Sequence, residues 1–196
     1  INIPGSVTSV GKGAFSGCKK LKSINIPESV TDIGEGAFGG CSDLNSVNIP
    51  KNITNIGESM FGGCSSLKSI TIPEGVTTIG NFAFEDCSSL NDIDIPENVI
   101  EIGICAFKNC SSLKSIIIPK NVESISYRIF MNCVSLNNVD ISEGVKSIEI
   151  EAFSGCNSLS GISIPGSIRS IGESAFENCS NLGSINIPEG VVSIGF

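Results

Sequence analysis

The sequence predicts an α/β solenoid, in which short repeats coil so that parallel strands stack on one wall and single helical turns line another. Three observations carry this prediction. Cysteine recurs at 18, 41, 64, 87, 110, 133, 156 and 179, with phenylalanine three residues before it and leucine three residues after it in every copy, a spacing of 23 without insertion or deletion. An alternating stretch such as Ile24, Asn25, Ile26 runs into a proline in every unit but one. One column holds only Gly, Asn or Asp.

The unit reads IxIPxxVxxIGxxAFxxCxxLxx, and eight copies (1–23, 24–46, 47–69, 70–92, 93–115, 116–138, 139–161, 162–184) are followed by a half copy, 185–196. Twenty-three residues cannot bury their own Ile, Val, Phe and Leu. Neighbouring units must therefore stack and share one core.

Each element follows from its residues. Positions 1 to 3 of the unit alternate apolar and polar, the pattern of a strand with one buried face, and the proline at position 4 closes it. Ser142 is the one substitution in that proline column. Positions 7 to 10, as in Val30 to Ile33, are β-branched and Thr-rich, which predicts a second short strand or extended turn on another wall. Position 17 is Gly17, Gly40, Gly63, Asp86, Asn109, Asn132, Gly155 and Asn178, the residues that tolerate a left-handed backbone, so the AFxx segment reads as one helical turn stopped there. Glycine at position 11 gives way to Ser126 and Glu149, which points to close packing or a loose turn rather than to a positive φ.

Composition bounds the function. With 40% apolar residues the chain has a core, and 20 acidic against 12 basic residues leave a net charge of −8. No Lys/Arg stripe is present, which argues against nucleic acid as a partner. No apolar run approaches the ~20 residues of a membrane span, and nothing resembles a signal peptide, so direct membrane insertion is not expected. The chain contains no histidine, which removes Ser/His/Asp and Cys/His nucleophiles and His-bearing metal sites. No catalytic residue, cofactor site or metal site is assigned.

At this point the residues carry a family resemblance. LKSINIPESVTDIGEGAFGGC, Leu21 to Cys41, resembles the BspA-like (treponemal-type) leucine-rich repeat, LxxIxIPxxVxxIxxxAFxxCxx, and the match covers every unit. It departs from the commoner LxxLxLxxN pattern, because Val30 and its equivalents hold the Asn position. The resemblance implies a right-handed, curved solenoid with the LxxIxI strands on the concave face. It also implies kinship with bacterial and protozoan surface proteins implicated in adhesion, and it supplies no catalytic residue.

The cysteine column reads foremost as a buried ladder of thiols acting as small hydrophobes, with sporadic bridges or a metal as alternatives. Cys105 lies outside the column among mostly polar equivalents (Gly13, Gly36, Ser59, Phe82, Arg128, Glu151, Ser174), which predicts a site near the surface. Arg128, one coil away, would lower its thiol pKa.

Two candidate surfaces remain. Phe82, Ile104, Cys105, Tyr127, Arg128, Met131 and Ile150, together with Ile129 and Val134, occupy positions that are elsewhere mostly polar or small, and form a candidate interaction patch. Asn25, Asn48, Thr71, Asp94, Ile117, Asp140 and Ser163 line the concave face as a second, broad surface suited to weak repeated contact. Asp92, Asp94, Asn138 and Asp140 would permit a calcium site there, though without a loop signature.

The chain thus reads as a non-enzymatic adhesion module of a secreted or cell-surface protein, binding proteins or glycans of host or neighbouring cells. The alternative is a structural segment that polymerises end to end into a filament or surface layer; an intracellular scaffold comes third. Ile1 begins on a core position and Phe196 stops partway through a coil, without caps, which suggests a segment of a longer array.

Overall fold

The computed structural model describes residues 1–195; the reading that the chain stops partway through a coil at Phe196 falls on a residue outside these. The chain forms a parallel β-solenoid of about eight coils, and every strand pair joins residues 23 apart, as in Ile116 with Val139 and Ile148 with Ile171. Positions 23 to 3 form a strand wall, from Ser23–Ile24 to Ser184–Asn186. Positions 9 and 10 form a second wall of two-residue strands, from Ser9–Val10 to Ser193–Ile194. Of the β-branched segment at positions 7 to 10, the last two residues are therefore the strand, as in Asp32–Ile33.

Proline ends the strand wall because it has no N–H to extend the ladder. Its carbonyl instead turns the chain, as in Val30 N to Pro27 O at 3.0 Å. Ser142 keeps its N–H and donates it to Ile118 O at 3.2 Å, so the ladder runs one residue further.

The expected helical turns are absent, and the fold is not α/β: among the described residues there is no helix. The third side is a wall of turns, and its hydrogen bonding shows why. Gly13, Phe15 and Gly17 donate their N–H groups to the next coil, at Glu35, Ala37 and Gly39 (2.9, 2.8 and 2.7 Å), while Ala14, Ser16 and Cys18 donate three residues back. Alternate amides are committed between coils, so no run of i to i−4 bonds can form. Left-handed residues bracket the segment at both ends. Position 17 is left-handed as read from its Gly/Asn/Asp column, and position 13 is left-handed too, even where it is Ser59 (φ 52°), Phe82 (57°), Cys105 (55°) or Arg128 (53°).

Position 11 is set by close packing. A Cβ on Gly34, Gly80 or Gly172 would lie 2.4 to 2.7 Å from a backbone nitrogen of the preceding coil, and none of the three has a positive φ. The second-wall ladder is interrupted twice, between Ile33 and Asn55 and between Ile102 and Ser124. Each interruption coincides with a coil that carries a larger residue than alanine at the buried position 14, Met60 in one and Ile129 in the other. The extra volume wedges the corner open. Thus Gly80 and Gly103 donate to the coil below at 2.7 Å, whereas Gly57 and Ser126 have no such backbone partner; the Ser126 hydroxyl bonds Ile102 O instead.

The core is a stack of columns. Phenylalanine rings from Phe15 to Phe176 lie nearly parallel, with centroids 5.4 to 5.7 Å apart, an offset stack that follows the coil rise. Phe38 to Phe153 are fully buried.

Candidate interaction surfaces

The cysteine column does more than fill space. All nine cysteines are unbridged, and from Cys41 to Cys179 each thiol donates to the phenylalanine carbonyl 26 residues earlier, at 3.1 to 3.3 Å. That oxygen already accepts one bond from the cysteine N–H of its own coil, so the thiol satisfies its second lone pair. Burial pushes the Cys64 and Cys133 thiols up to about 12 and Cys87 and Cys110 well above their usual value. These are inert structural groups. Cys18, in the first coil, is exposed.

Cys105 is not near the surface. It is 4% exposed, although Phe82 and Arg128, at the same left-handed position in the adjoining coils, are half-buried. Its thiol pKa is raised, not lowered: burial dominates, and the pull of Lys108 and Arg128 is opposed by Glu85 and Glu151. The charge of Arg128 is committed elsewhere, with its guanidinium gripping Glu151 through two 2.8 Å bonds and lying 4.7 Å over the Tyr127 ring. Lys108 likewise pairs with Glu85 at 2.9 Å.

The patch residues that remain are contiguous on the turn wall. Phe82, Cys105 and Arg128 donate their N–H groups to Ile104, Tyr127 and Ile150 of the next coil, which places positions 12 and 13 side by side across four coils. Ile104 and Ile150 are 38% and 41% exposed, Tyr127, Phe82 and Met131 are half-buried, and Ile129 is buried in the core. Val134, at the corner toward the strand wall, is 39% exposed. Ile100, on the second wall, is 56% exposed and was not singled out from sequence; its signal was the break in the Thr8, Thr31, Thr54, Thr77 column. Away from the two end coils, the exposed large aliphatic residues, Ile100, Ile104, Ile117, Val134 and Ile150, all fall in coils 5 to 7.

The strand wall holds the second surface. Asn25, Asn48, Thr71, Asp94, Ile117, Asp140 and Ser163 are all exposed at position 2, beside a position 23 row of mostly serine. Asn48 is spent on the fold: its amide accepts from Ile26 N at 2.9 Å and donates to Ile26 O at 2.7 Å, replacing a ladder contact. Two shallow depressions of about 450 and 560 Å³ adjoin along this wall, sharing Thr71 and Glu74, one reaching Asp92 and Asp94 and the other Asn48 and Lys51. Asp94 and Asp140 lie two coils apart with Ile117 between them, so the acidic side chains weighed as a calcium site do not converge. Ser124 and Ser147 on the second wall both donate to Glu149, a cluster that the sequence left unnoticed.

The family model described as BspA type Leucine rich repeat region (6 copies) matches residues 1–112 and 77–196. No curated protein matches significantly. Among solved structures, a leucine-rich repeat protein of T. pallidum is 31% identical with a TM-score of 0.76, covering 81% of this chain and 77% of that one. A leucine-rich repeat protein of Eubacterium ventriosum is 26% identical with a TM-score of 0.69, covering 100% of this chain and 62% of that one. The pneumococcal vaccine antigen PcpA shares the fold at 22% identity and a TM-score of 0.68, over 97% of this chain and 60% of that one. No helix among the described residues is long and apolar enough to cross a membrane.

Proposed function

The chain belongs to the BspA-type leucine-rich repeat family, and on that premise we propose that it is a non-enzymatic interaction module of a secreted or cell-surface protein. It adheres to proteins or glycans of host or neighbouring cells through the strand wall, the side that the family resemblance makes concave. The observation that carries this reading is the pair of exposed rows at positions 23 and 2, small hydroxyl, amide and carboxylate groups in register from coil to coil. Such a surface offers small hydrogen-bonding groups at most coil steps of about 4.8 Å, Ile117 and the fold-bound Asn48 excepted. Weak contacts of one kind then add along an extended ligand. The adjoining depressions around Thr71 give that row relief without enclosing a reaction space. The chain has no histidine, and its thiols are buried from Cys41 onward, so the usual nucleophile and base pairs have no place on this wall. The extracellular reading is supported by kinship of fold with a vaccine antigen.

The test is a binding screen of the purified chain against arrayed glycans and matrix proteins. Captured ligands should lose at least tenfold in affinity when Thr71, Asp94 and Asp140 are replaced together by lysine. A screen that captures nothing, or ligands indifferent to that triple change, would overturn the reading.

A further inference from the structure

The turn wall carries a second surface that departs from the repeat, separate from the strand wall. Along position 12 the side chains run Lys12, Glu35, Glu58, Asn81, Ile104, Tyr127, Ile150 and Glu173, an apolar centre with carboxylates on both sides, the outermost of them, Glu35, paired with Lys12. The centre is accessible, with Ile104 and Ile150 each more than a third exposed and Tyr127 half-buried between them. The flanks carry carboxylates that stand outside ion pairs. Both cations of coils 5 and 6 on this wall, Lys108 and Arg128, are already paired with carboxylates of the same wall. Glu58 and Asp86 on one side and Glu173 and Glu177 on the other are exposed and have no cation within ion-pair distance among the described residues.

We infer that the turn wall, from coil 3 to coil 8 and centred on coils 5 to 7, binds a protein segment with apolar side chains at its centre and lysine or arginine on both flanks. Ile104, Tyr127 and Ile150 take the centre, and Glu58 and Glu173 take the flanks. Charge complementarity selects this occupant over others. A second copy of the chain docked face to face would set acidic flank against acidic flank, and an anionic membrane surface would be repelled. The geometry also sets a spacing. Glu58 and Glu173 are five coil steps apart, about 24 Å at ~4.8 Å per step. The basic residues of the partner should then stand about 7 residues apart in an extended segment or about 16 apart in a helix.

The experiment pans a random 20-residue phage-displayed peptide library on the wild-type chain at low salt and measures the enriched peptides by fluorescence anisotropy. The expected result is enrichment of apolar centres with Lys or Arg on both sides. These peptides should lose at least tenfold in affinity for I104S/I150S and for E58K/E173K, both made at exposed positions and checked for wild-type thermal unfolding. Binding should weaken as salt rises from 50 to 300 mM. The triple lysine variant of the strand wall should bind them as wild type does, so loss on that variant alone would overturn this surface while leaving the adhesion reading intact. Failure to enrich any peptide, enrichment without basic flanks, or equal binding by I104S/I150S would overturn it too. So would selective capture of phosphatidylserine vesicles by the wild-type chain.

Discussion

The thiol of Cys110 donates to the carbonyl oxygen of Phe84, 26 residues earlier and one coil below, at 3.2 Å. The same bond recurs up the array, tying the cysteine column to the phenylalanine column. Replacing Cys110 with alanine removes the donor and leaves a small void, for a loss of about 1–3 kcal/mol. Serine keeps a donor and should lose less than alanine. Urea unfolding of the two variants checks the order; an alanine variant as stable as wild type would count against the bond.

The same thiols should make the fold sensitive to alkali. Burial raises Cys64 and Cys133 to about 12 from an ordinary value of 9.0. Below pH 9 both the folded and the unfolded chain keep these protons, and the stabilisation is fully present. Between about 9 and 12 the unfolded chain ionises while the folded one does not, so stability falls as pH rises, by about 1.4 kcal/mol per unit for each thiol. Melting temperatures from pH 7 to 10.5 should drop steeply above 9. Substituting Cys64 and Cys133 by alanine should lessen that drop, with Cys87 and Cys110, also raised by burial, accounting for part of what remains.

In the phenylalanine stack, Phe107 lies fully buried between Phe84 and Phe130, with centroids 5.4 and 5.7 Å away, whereas Phe15 is half-buried at the first coil. Phe107→Ala should cost about 3–5 kcal/mol and Phe15→Ala clearly less. Because coils touch only their neighbours, the central change should also separate the unfolding of the two halves. Calorimetry would reveal this as a broadened or double transition, absent in the Phe15 variant.

Backbone strain should be relieved by glycine at position 13. Ser59 holds φ 52° and Ser174 holds 51°, a region that costs a side-chain-bearing residue about 1 kcal/mol or more. Ser59→Gly and Ser174→Gly should each raise stability by about 0.5–1 kcal/mol, read as a higher urea midpoint at unchanged slope. By contrast, Gly80→Ala, whose Cβ would sit 2.7 Å from Glu58 N, should lower it by about 1–3 kcal/mol.

The wedged corners predict local opening. The Gly57 and Ser126 amides, which lack the inter-coil bond that Gly80 and Gly103 make at 2.7 Å, should exchange hydrogen at least tenfold faster than those two. Met60→Ala should slow exchange at Gly57. Equal rates at all four amides would remove the wedge as the cause.

Much of this fold was legible because the array repeats without a single insertion. Eight examples of each column averaged away local noise, so the buried Phe, Leu and Cys, the strand before proline and the left-handed position 17 could each be read from residue type. Two readings failed for one reason. The AFxx segment looks helical and the position 13 column looks like a variable surface, because both were judged from side chains. The turn wall is decided by backbone amides that alternate between their own coil and the next, and no side chain records that commitment. Position 13 is left-handed by geometry imposed from the neighbouring coils, so it accepts Phe82, Cys105, Arg128 and Glu151 alike. Cys105 alone of that column is buried, while its larger neighbours Phe82 and Arg128 are half-buried.

For the candidate surfaces the division is similar. The sequence by itself determined the period, the core columns, the exclusion of histidine chemistry, and the coils in which apolar residues intrude, since each depends only on residue identity at a repeating position. Only the tertiary structure decided that Ile104, Tyr127 and Ile150 adjoin on one wall while Ile129 turns inward. It alone withdrew Asn48 from the strand-wall row, bound Arg128 to Glu151, and left Glu58 and Glu173 outside ion pairs on the two sides of the apolar strip. Those outcomes depend on which groups meet across coils, and a hydrogen bond or ion pair between residues 23 apart exists only once the coils have stacked.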